Sequence, residues 1–323
     1  MYKCFLPQKI IVYTTLLFLI FTISCRDIFE PDISNSKVIL IAPSNNLITK
    51  YNTQTFWWNN VNDAIVYDLQ IVSPSFSSVE KIIIDTIVST NKFSLSLYPG
   101  KFEWRVKAMN GSSETAFYGQ NLEIDSTMDL SGQKILLIYP ISKSYINLNT
   151  IIFNWSKLYN ANKYAVKIIN DLTGVNIFNK NTTTYDTIVM SNLAEGSYTW
   201  DVQALNNDGA TSIFSGTFNI DRTPPGTPVV VSPLDKAILT NSLVTLHWNR
   251  IEEKGVTIFD SVFLARDSTF ATSKIIKQLP MDVDSLQVTL DPGIYFWRVK
   301  TIDEANNQSG FEPVWNKFTV KIN

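Results

Sequence analysis

The sequence predicts an all-β protein of three tandem β-sandwiches, and two observations carry that prediction. The first is a pattern that occurs three times. Pro43, Trp58, Trp104 and Phe117 recur as Pro140, Trp155, Trp200 and Phe214, then as Pro233, Trp248, Trp297 and Phe311. The Pro-to-Trp step is 15 residues in every copy, and a fixed period marks tandem units built around one core. The second is that apolar residues alternate with polar ones in short runs, with no sustained 3.6-residue apolar period. Units of about 95 residues with about seven short strands each have the size and rhythm of a sandwich.

The chain opens with an export signal, residues 1–24. Lys3 and Lys9 form its basic start. Ile10 to Ile23 (IIVYTTLLFLIFTI) is a 14-residue apolar run, short for crossing a bilayer and suited to a signal's apolar region. It ends in Thr22-Ile23-Ser24-Cys25. That ending resembles a bacterial lipobox, although the family pattern prefers Leu where Thr22 stands. The resemblance implies a lipoprotein signal peptide: Cys25 diacylated on sulfur (palmitate-type chains), cleaved to become the first residue and then acylated on nitrogen. The alternative is an ordinary secretory signal cleaved nearby. The only other cysteine is Cys4 inside the signal, so the folded part relies on hydrophobic cores without disulfides. Residues 25–36 read as a lipid-anchored tether. Its Asp27, Glu30 and Asp32 resemble the acidic residues that accompany outer-surface display in some Gram-negative groups.

Three domains follow, at 37–125, 134–221 and 227–323. Each begins with an apolar strand closed by proline, which cannot donate to a ladder: Val38–Pro43, Ile135–Pro140 and Val229–Pro233. Next comes Thr55-Phe56-Trp57-Trp58, matched by Ile152–Trp155 and Leu246-His247-Trp248. Period-2 alternation puts Phe56 and Trp58 inward and Trp57 outward. A third strand turns Tyr67, Leu69 and Ile71 inward, as do Tyr164, Val166 and Ile168. Val262 and Leu264 do so in the third copy, where the tyrosine is missing. Late in each copy a glycine-bearing corner (Gly100, Gly196, Gly293) feeds a strand with Trp104, Trp200 or Trp297 inward. On that strand Glu103, Arg105, Lys107, Arg298 and Lys300 face water. These residues resemble fibronectin type III and related immunoglobulin-like domains across all three copies. The family's tyrosine corner, a ring hydroxyl bonded to nearby backbone, fits Tyr198 and Tyr295, and Phe102 cannot make it. The resemblance specifies fold and leaves function open.

Residues 124–133 and 220–228 are the linkers. Pro224, Pro225 and Pro228 in the second favour extended, stiff backbone, which predicts a semi-rigid rod that is stiffer at the second joint.

Composition excludes several functions. Net charge is −2 over 323 residues. Without Lys3 and Lys9, 25 basic stand against 29 acidic residues, or −4, and no basic face marks nucleic-acid binding. The one histidine, His247, points outward and cannot build a ligand cluster or a triad. No phosphate loop occurs. Asp282/Asp284 and Asp303/Glu304 are the paired acids available for glycosidase chemistry, and they read as solvated loop residues. No metal or cofactor is expected, although oxygen ligands in the Asp303-Glu304 and Asp267 loops would suffice for calcium. Asp85-Thr86-Ile87, Asp186-Thr187-Ile188, Asp260-Ser261-Val262 and Asp284-Ser285-Leu286 resemble a short O-glycosylation signal of some Gram-negative envelope proteins.

The exposed tryptophans are the sharpest functional clue. Trp57 and Trp315 both have opposite parity to their strands' core residues. Such rings stack on sugars or anchor protein partners; Trp57 has the further alternative of packing under a loop or an interdomain contact. The reading is a non-enzymatic envelope lipoprotein, lipid-anchored in the outer membrane of a Gram-negative bacterium, that serves as spacer and interaction scaffold for an envelope protein. The alternative is a glycan-binding surface lipoprotein of a polysaccharide-utilisation type.

Overall fold

A computed structural model describes residues 30–251, 257–271, 274–279, 283–311 and 315–322, with the side chains of 180–183 and 274–279 left out. Cys25 and Asp282 lie outside the described residues. The described residues hold strands and no helix.

The first sandwich comprises β1 (Leu40–Ala42), β2 (Leu47–Thr49), β3 (Thr53–Trp58), β4 (Val66–Ser75), β5 (Ser78–Val88), β6 (Lys92–Ser96), β7 (Gly100–Met109) and β8 (Tyr118–Ile124). The second comprises β9 (Leu137–Tyr139), β10 (Ser144–Ile146), β11 (Thr150–Trp155), β12 (Lys163–Asn170), β13 (Asn176–Thr183), β14 (Thr187–Ser191), β15 (Gly196–Leu205) and β16 (Phe214–Ile220). The third comprises β17 (Val229–Ser232), β18 (Ala237–Leu239), β19 (Leu243–Asn249), β20 (Ile258–Ala265), β21 (Lys274–Leu279), β22 (Ser285–Thr289), β23 (Gly293–Asp303) and β24 (Asn316–Val320).

Each sandwich sets a three-stranded sheet (β1-β3-β6, β9-β11-β14, β17-β19-β22) against a five-stranded one (β2-β8-β7-β4-β5, β10-β16-β15-β12-β13, β18-β24-β23-β20-β21). This is the fibronectin-type-III-like, immunoglobulin-like layout expected from the sequence. One feature of the layout is not legible in the sequence. After its proline the first strand changes sheet, and its continuation runs parallel to the last strand, as β10 with β16 and β18 with β24. Pro43, Pro140 and Pro233 sit at this change, each after a cis peptide bond.

The cores match the alternation. All six repeat tryptophans, with Phe56 and Phe153, are fully buried. Phe56 meets Trp104 edge to face at 5.1 Å, and Phe153 meets Trp200 at 5.3 Å. Edge-to-face packing adds to the ~1.5–3 kcal/mol gained by burying each large apolar side chain. Gly216, paired with Trp200 on the neighbouring strand, makes room for that ring: a Cβ there would lie 2.8 Å from Trp200 Nε1. Phe117 and Phe311 are not core residues; both lie half-buried on an outer sheet face. The tyrosine corners form as expected, with Tyr198 Oη donating to Ala194 O at 2.8 Å and Tyr295 Oη to Asp291 O at 2.9 Å.

The missing tyrosine of the third copy has a specific replacement. Register places Asp260 opposite Thr301, where Tyr67 faces Ala108 and Tyr164 faces Ala204. In the first two sandwiches the tyrosine hydroxyl accepts a loop amide, Val61 N at 3.0 Å and Leu158 N at 2.8 Å. Burial pushes the Tyr164 hydroxyl up to about 12. In the third sandwich a fully buried carboxylate takes the site. Asp260 accepts from Trp248 Nε1, from Arg250 Nε at 2.6 Å and from Thr301 Oγ1 at 2.9 Å.

The segment entering each sandwich is strapped to it. Ile33 and Leu130, at equivalent positions, are buried; the third copy has exposed Thr223 there and buries Pro225 two residues further on. Asn110 Nδ2 donates to Pro31 O at 2.8 Å, and Asn206, in the same turn of the second sandwich, donates to Met128 O at 2.7 Å. In the third an aspartate, Asp303, fills that turn position and holds Asn307, which donates to Asp221 O at 3.0 Å. Residues 30–36, expected in the tether, therefore belong to the folded body.

Contacts group the chain into two compact units: Met1–Leu47, Thr55–Phe93 and Lys101–Glu123 in one, and Ile48–Gln54, Ser94–Gly100 and Ile124–Asn323 in the other. Inside the second unit the first linker is heavily pinned. Gln133 accepts from Asn52 N at 2.9 Å and donates to Lys50 O at 2.8 Å, and Lys50 pairs with Asp129 at 2.8 Å. Order in this linker thus comes from hydrogen bonds, a source that proline counting does not register.

Asp68 gives a pH-dependent prediction. It is buried on the outer side of β4, its Oδ1 finds no partner among the described residues, and Lys107 stands 3.9 Å from Oδ2. Burial, then Asp85, raises its pKa against the pull of Lys107 and Arg105. A carboxyl with a raised folded pKa holds its proton more tightly in the native state, so its contribution falls as pH rises through the carboxylate range. Asp68→Asn is therefore expected to raise the melting temperature at pH 7 and to leave it unchanged at pH 3. Equal gains at both pH values would contradict this.

Candidate functional site

Trp57 and Trp315 both lie on outer sheet faces, as alternation requires, and each is 36% exposed. They belong to different sandwiches and to different kinds of sheet. Trp57 stands in β3 of a three-stranded sheet, paired with Ala42, with Ile39 and Ile41 also exposed. Lys92 Nζ of β6 rests 4.4 Å from its ring centroid, a contact of about 0.5–1 kcal/mol at an exposed site. The equivalent positions hold Asn154 and His247, so only the first sandwich carries an indole there.

Trp315 precedes β24 and meets Phe296 of β23 edge to face at 5.1 Å. This outer face of the third five-stranded sheet is richer than the sequence suggested. Arg298 lies with its guanidinium 4.1 Å from both the Phe270 and Phe311 rings and 5.4 Å from Phe263. Burial lowers its pKa. The first sandwich repeats the device with Arg105 between Phe76 at 3.8 Å and Phe117 at 4.2 Å. These charges, expected to face water, are half-buried because aromatic rings cover their guanidinium groups. The recurring Phe117 and Phe311 were the available signal. The second sandwich has Asp201 in the arginine slot, accepting from Ser215 Oγ at 2.6 Å.

Groups suited to catalysis do not converge among the described residues. His247 Nε2 has Asp284 Oδ2 at 3.6 Å, and both side chains are exposed. Asp303 is not a solvated loop acid: it ends β23, is buried, and accepts from Asn307 N at 2.8 Å and Asn307 Nδ2 at 2.9 Å. Glu304 is exposed. No group of three or more His, Cys, Asp or Glu comes together among the described residues. Ser261 is 5% exposed inside β20, which removes one of the four short O-glycosylation motifs as an accessible acceptor.

No protein-family model matches the chain, and no curated protein does. Among solved structures, the chain is similar to the fibronectin(III)-like modules of Clostridium thermocellum CbhA, with 13% identity and a TM-score of 0.42, covering 58% of this chain and 95% of that one. It is also similar to the FN1-FN3 domains of chicken CNTN1, with 15% identity and a TM-score of 0.42, covering 88% of this chain and 97% of that one.

Proposed function

We propose that this chain is a non-enzymatic, lipid-anchored protein of a Gram-negative cell envelope, held in the outer membrane, whose sandwiches act as spacer and interaction scaffold. The observation that carries the reading is the join between anchor and body. Cys25 ends the apolar signal run, and folded structure is already in place at Pro31, whose carbonyl is bonded to Asn110. Two or three acyl chains would give stable anchorage where a single chain binds marginally. Sandwiches with complete cores and exposed aromatic outer faces suit a protein that presents surfaces. The test is metabolic labelling with palmitate in a Gram-negative host. Label and detergent-phase partitioning are expected for the native chain and should both vanish in Cys25→Ala. An unlabelled native chain that stays in the aqueous phase would refute the anchor.

The second reading, glycan binding, is favoured by Trp57 with Lys92 over its ring and by the Trp315–Phe296 pair. A flat ring on an outer sheet face is suited to stacking against a sugar ring.

A further inference from the structure

We infer that a cleft between the second and third sandwiches is a binding site for a neutral, hydroxyl-rich ligand, a short stretch of a polysaccharide chain. This inference rests on the glycan-binding reading and gives it a location away from both exposed tryptophans.

The cleft lies wholly within the second compact unit. One wall is the start of β10, with Lys143, Ser144 and Tyr145; the other is formed by the beginning of β20 and the end of β23, with Phe259, Glu304 and Asn306. Its volume is about 710 Å³, inside the range of roughly 300–1,000 Å³ typical of ligand pockets.

Two features specify the ligand's chemistry. Tyr145 and Phe259 are half-buried aromatic rings, which offer apolar surface to the C–H faces of sugars. Ser144 shares this wall, but its Oγ is shut off from solvent and so offers the ligand no hydrogen bond. The remaining polar groups are an ammonium, a carboxylate and an amide, from Lys143, Glu304 and Asn306. Together they can donate to and accept from the paired hydroxyls of a sugar. Asp303 also lines the cleft, and both its carboxylate oxygens are already engaged by Asn307. The opposed charges of Lys143 and Glu304 leave no net positive field for a phosphate. A neutral polyol can use Lys143, Glu304 and Asn306 without requiring a buried charge.

The experiment is affinity electrophoresis of the soluble chain from Arg26 onward, through gels holding soluble starch, dextran, laminarin or xylan. Tyr145→Ala and Phe259→Ala each remove a ring. Glu304→Trp blocks the cleft from an exposed position, so its effect does not depend on disturbing the fold; melting curves check all three. Retardation by at least one of these glycans is expected, about tenfold weaker in affinity in each ring variant, abolished in Glu304→Trp and unchanged in Trp57→Ala and Trp315→Ala. Retardation that survives Tyr145→Ala and Glu304→Trp would overturn the cleft while leaving the glycan reading intact. The absence of retardation by all four would overturn both.

Discussion

Asp260→Ala is expected to destabilise the third sandwich by about 3–5 kcal/mol, the cost of breaking a buried ion pair by removing one partner. Arg250 is nearly as buried as Asp260, with side chains 5% and 0% exposed. Alanine would leave that guanidinium without its carboxylate, strip Trp248 Nε1 of its acceptor and orphan the Thr301 hydroxyl. In a domain of this size, roughly 1 kcal/mol moves a melting transition by 4–8 °C, so scanning calorimetry should show one transition fall by well over 10 °C while others hold. The first sandwich also suggests the repair. Asn60, Tyr67 and Ala108 occupy the positions of Arg250, Asp260 and Thr301. The triple variant Arg250→Asn, Asp260→Tyr, Thr301→Ala removes both charges at once and gives Ile251 N a hydroxyl to donate to, as Val61 N has in Tyr67. It should recover most of the loss, because a buried ion pair exchanged whole for well-packed neutral residues is often near neutral. If Asp260→Ala melts like the native chain, the carboxylate is not what organises that core.

Trp200→Ala carries a comparable penalty in the second sandwich, about 3–5 kcal/mol for truncating a large buried aromatic. The ring fills the space left by Gly216 and takes the edge of Phe153. Relaxation closes such a cavity only in part. Trp200→Phe should cost clearly less. The indole N–H of Trp200 has no partner among the described residues, and the same holds for Trp58, Trp104 and Trp155. The third sandwich differs: Trp248 donates to Asp260 and Trp297 donates to Pro233 O at 3.1 Å. Trp248→Phe should therefore be the more damaging phenylalanine substitution. Urea unfolding of the two variants side by side decides it; a larger loss in Trp200→Phe would contradict the hydrogen-bond assignment.

The parts of this fold legible in sequence are those governed by local alternation. Phe56, Trp57 and Trp58 were sorted inward and outward by parity alone, and Tyr198, Tyr295 and Phe102 sorted into two hydroxyl corners and one without. What stayed hidden depends on pairing at long range. The change of sheet after each proline involves three-residue strands, too short to show a period. The role of Asp260 needs Thr301, 41 residues on, in register beside it. Arg105 and Arg298 read as solvated because alternation gives the face of a sheet and not what covers that face. For the candidate sites, sequence singled out the exposed rings of Trp57 and Trp315. It had no means of finding a cleft lined by residues 143–145, 257, 259, 302–304 and 306, brought together only by folding.

If Cys25 carries the proposed acyl chains, the strap on the first sandwich limits how far the body can stray from the membrane. Only Arg26 to Phe29 separate Cys25 from Glu30, and Pro31 is already fixed by Asn110. A fully extended chain gains at most about 3.6 Å per residue, so the leash is on the order of 18 Å. With acyl chains on Cys25, the turn around Asn110 would ride at the lipid headgroups, and the first sandwich would be denied the wide search volume that a flexible linker allows. An anchored chain of this kind meets neighbours in its own membrane at high effective concentration. Ligands diffusing freely above the bilayer must come to it.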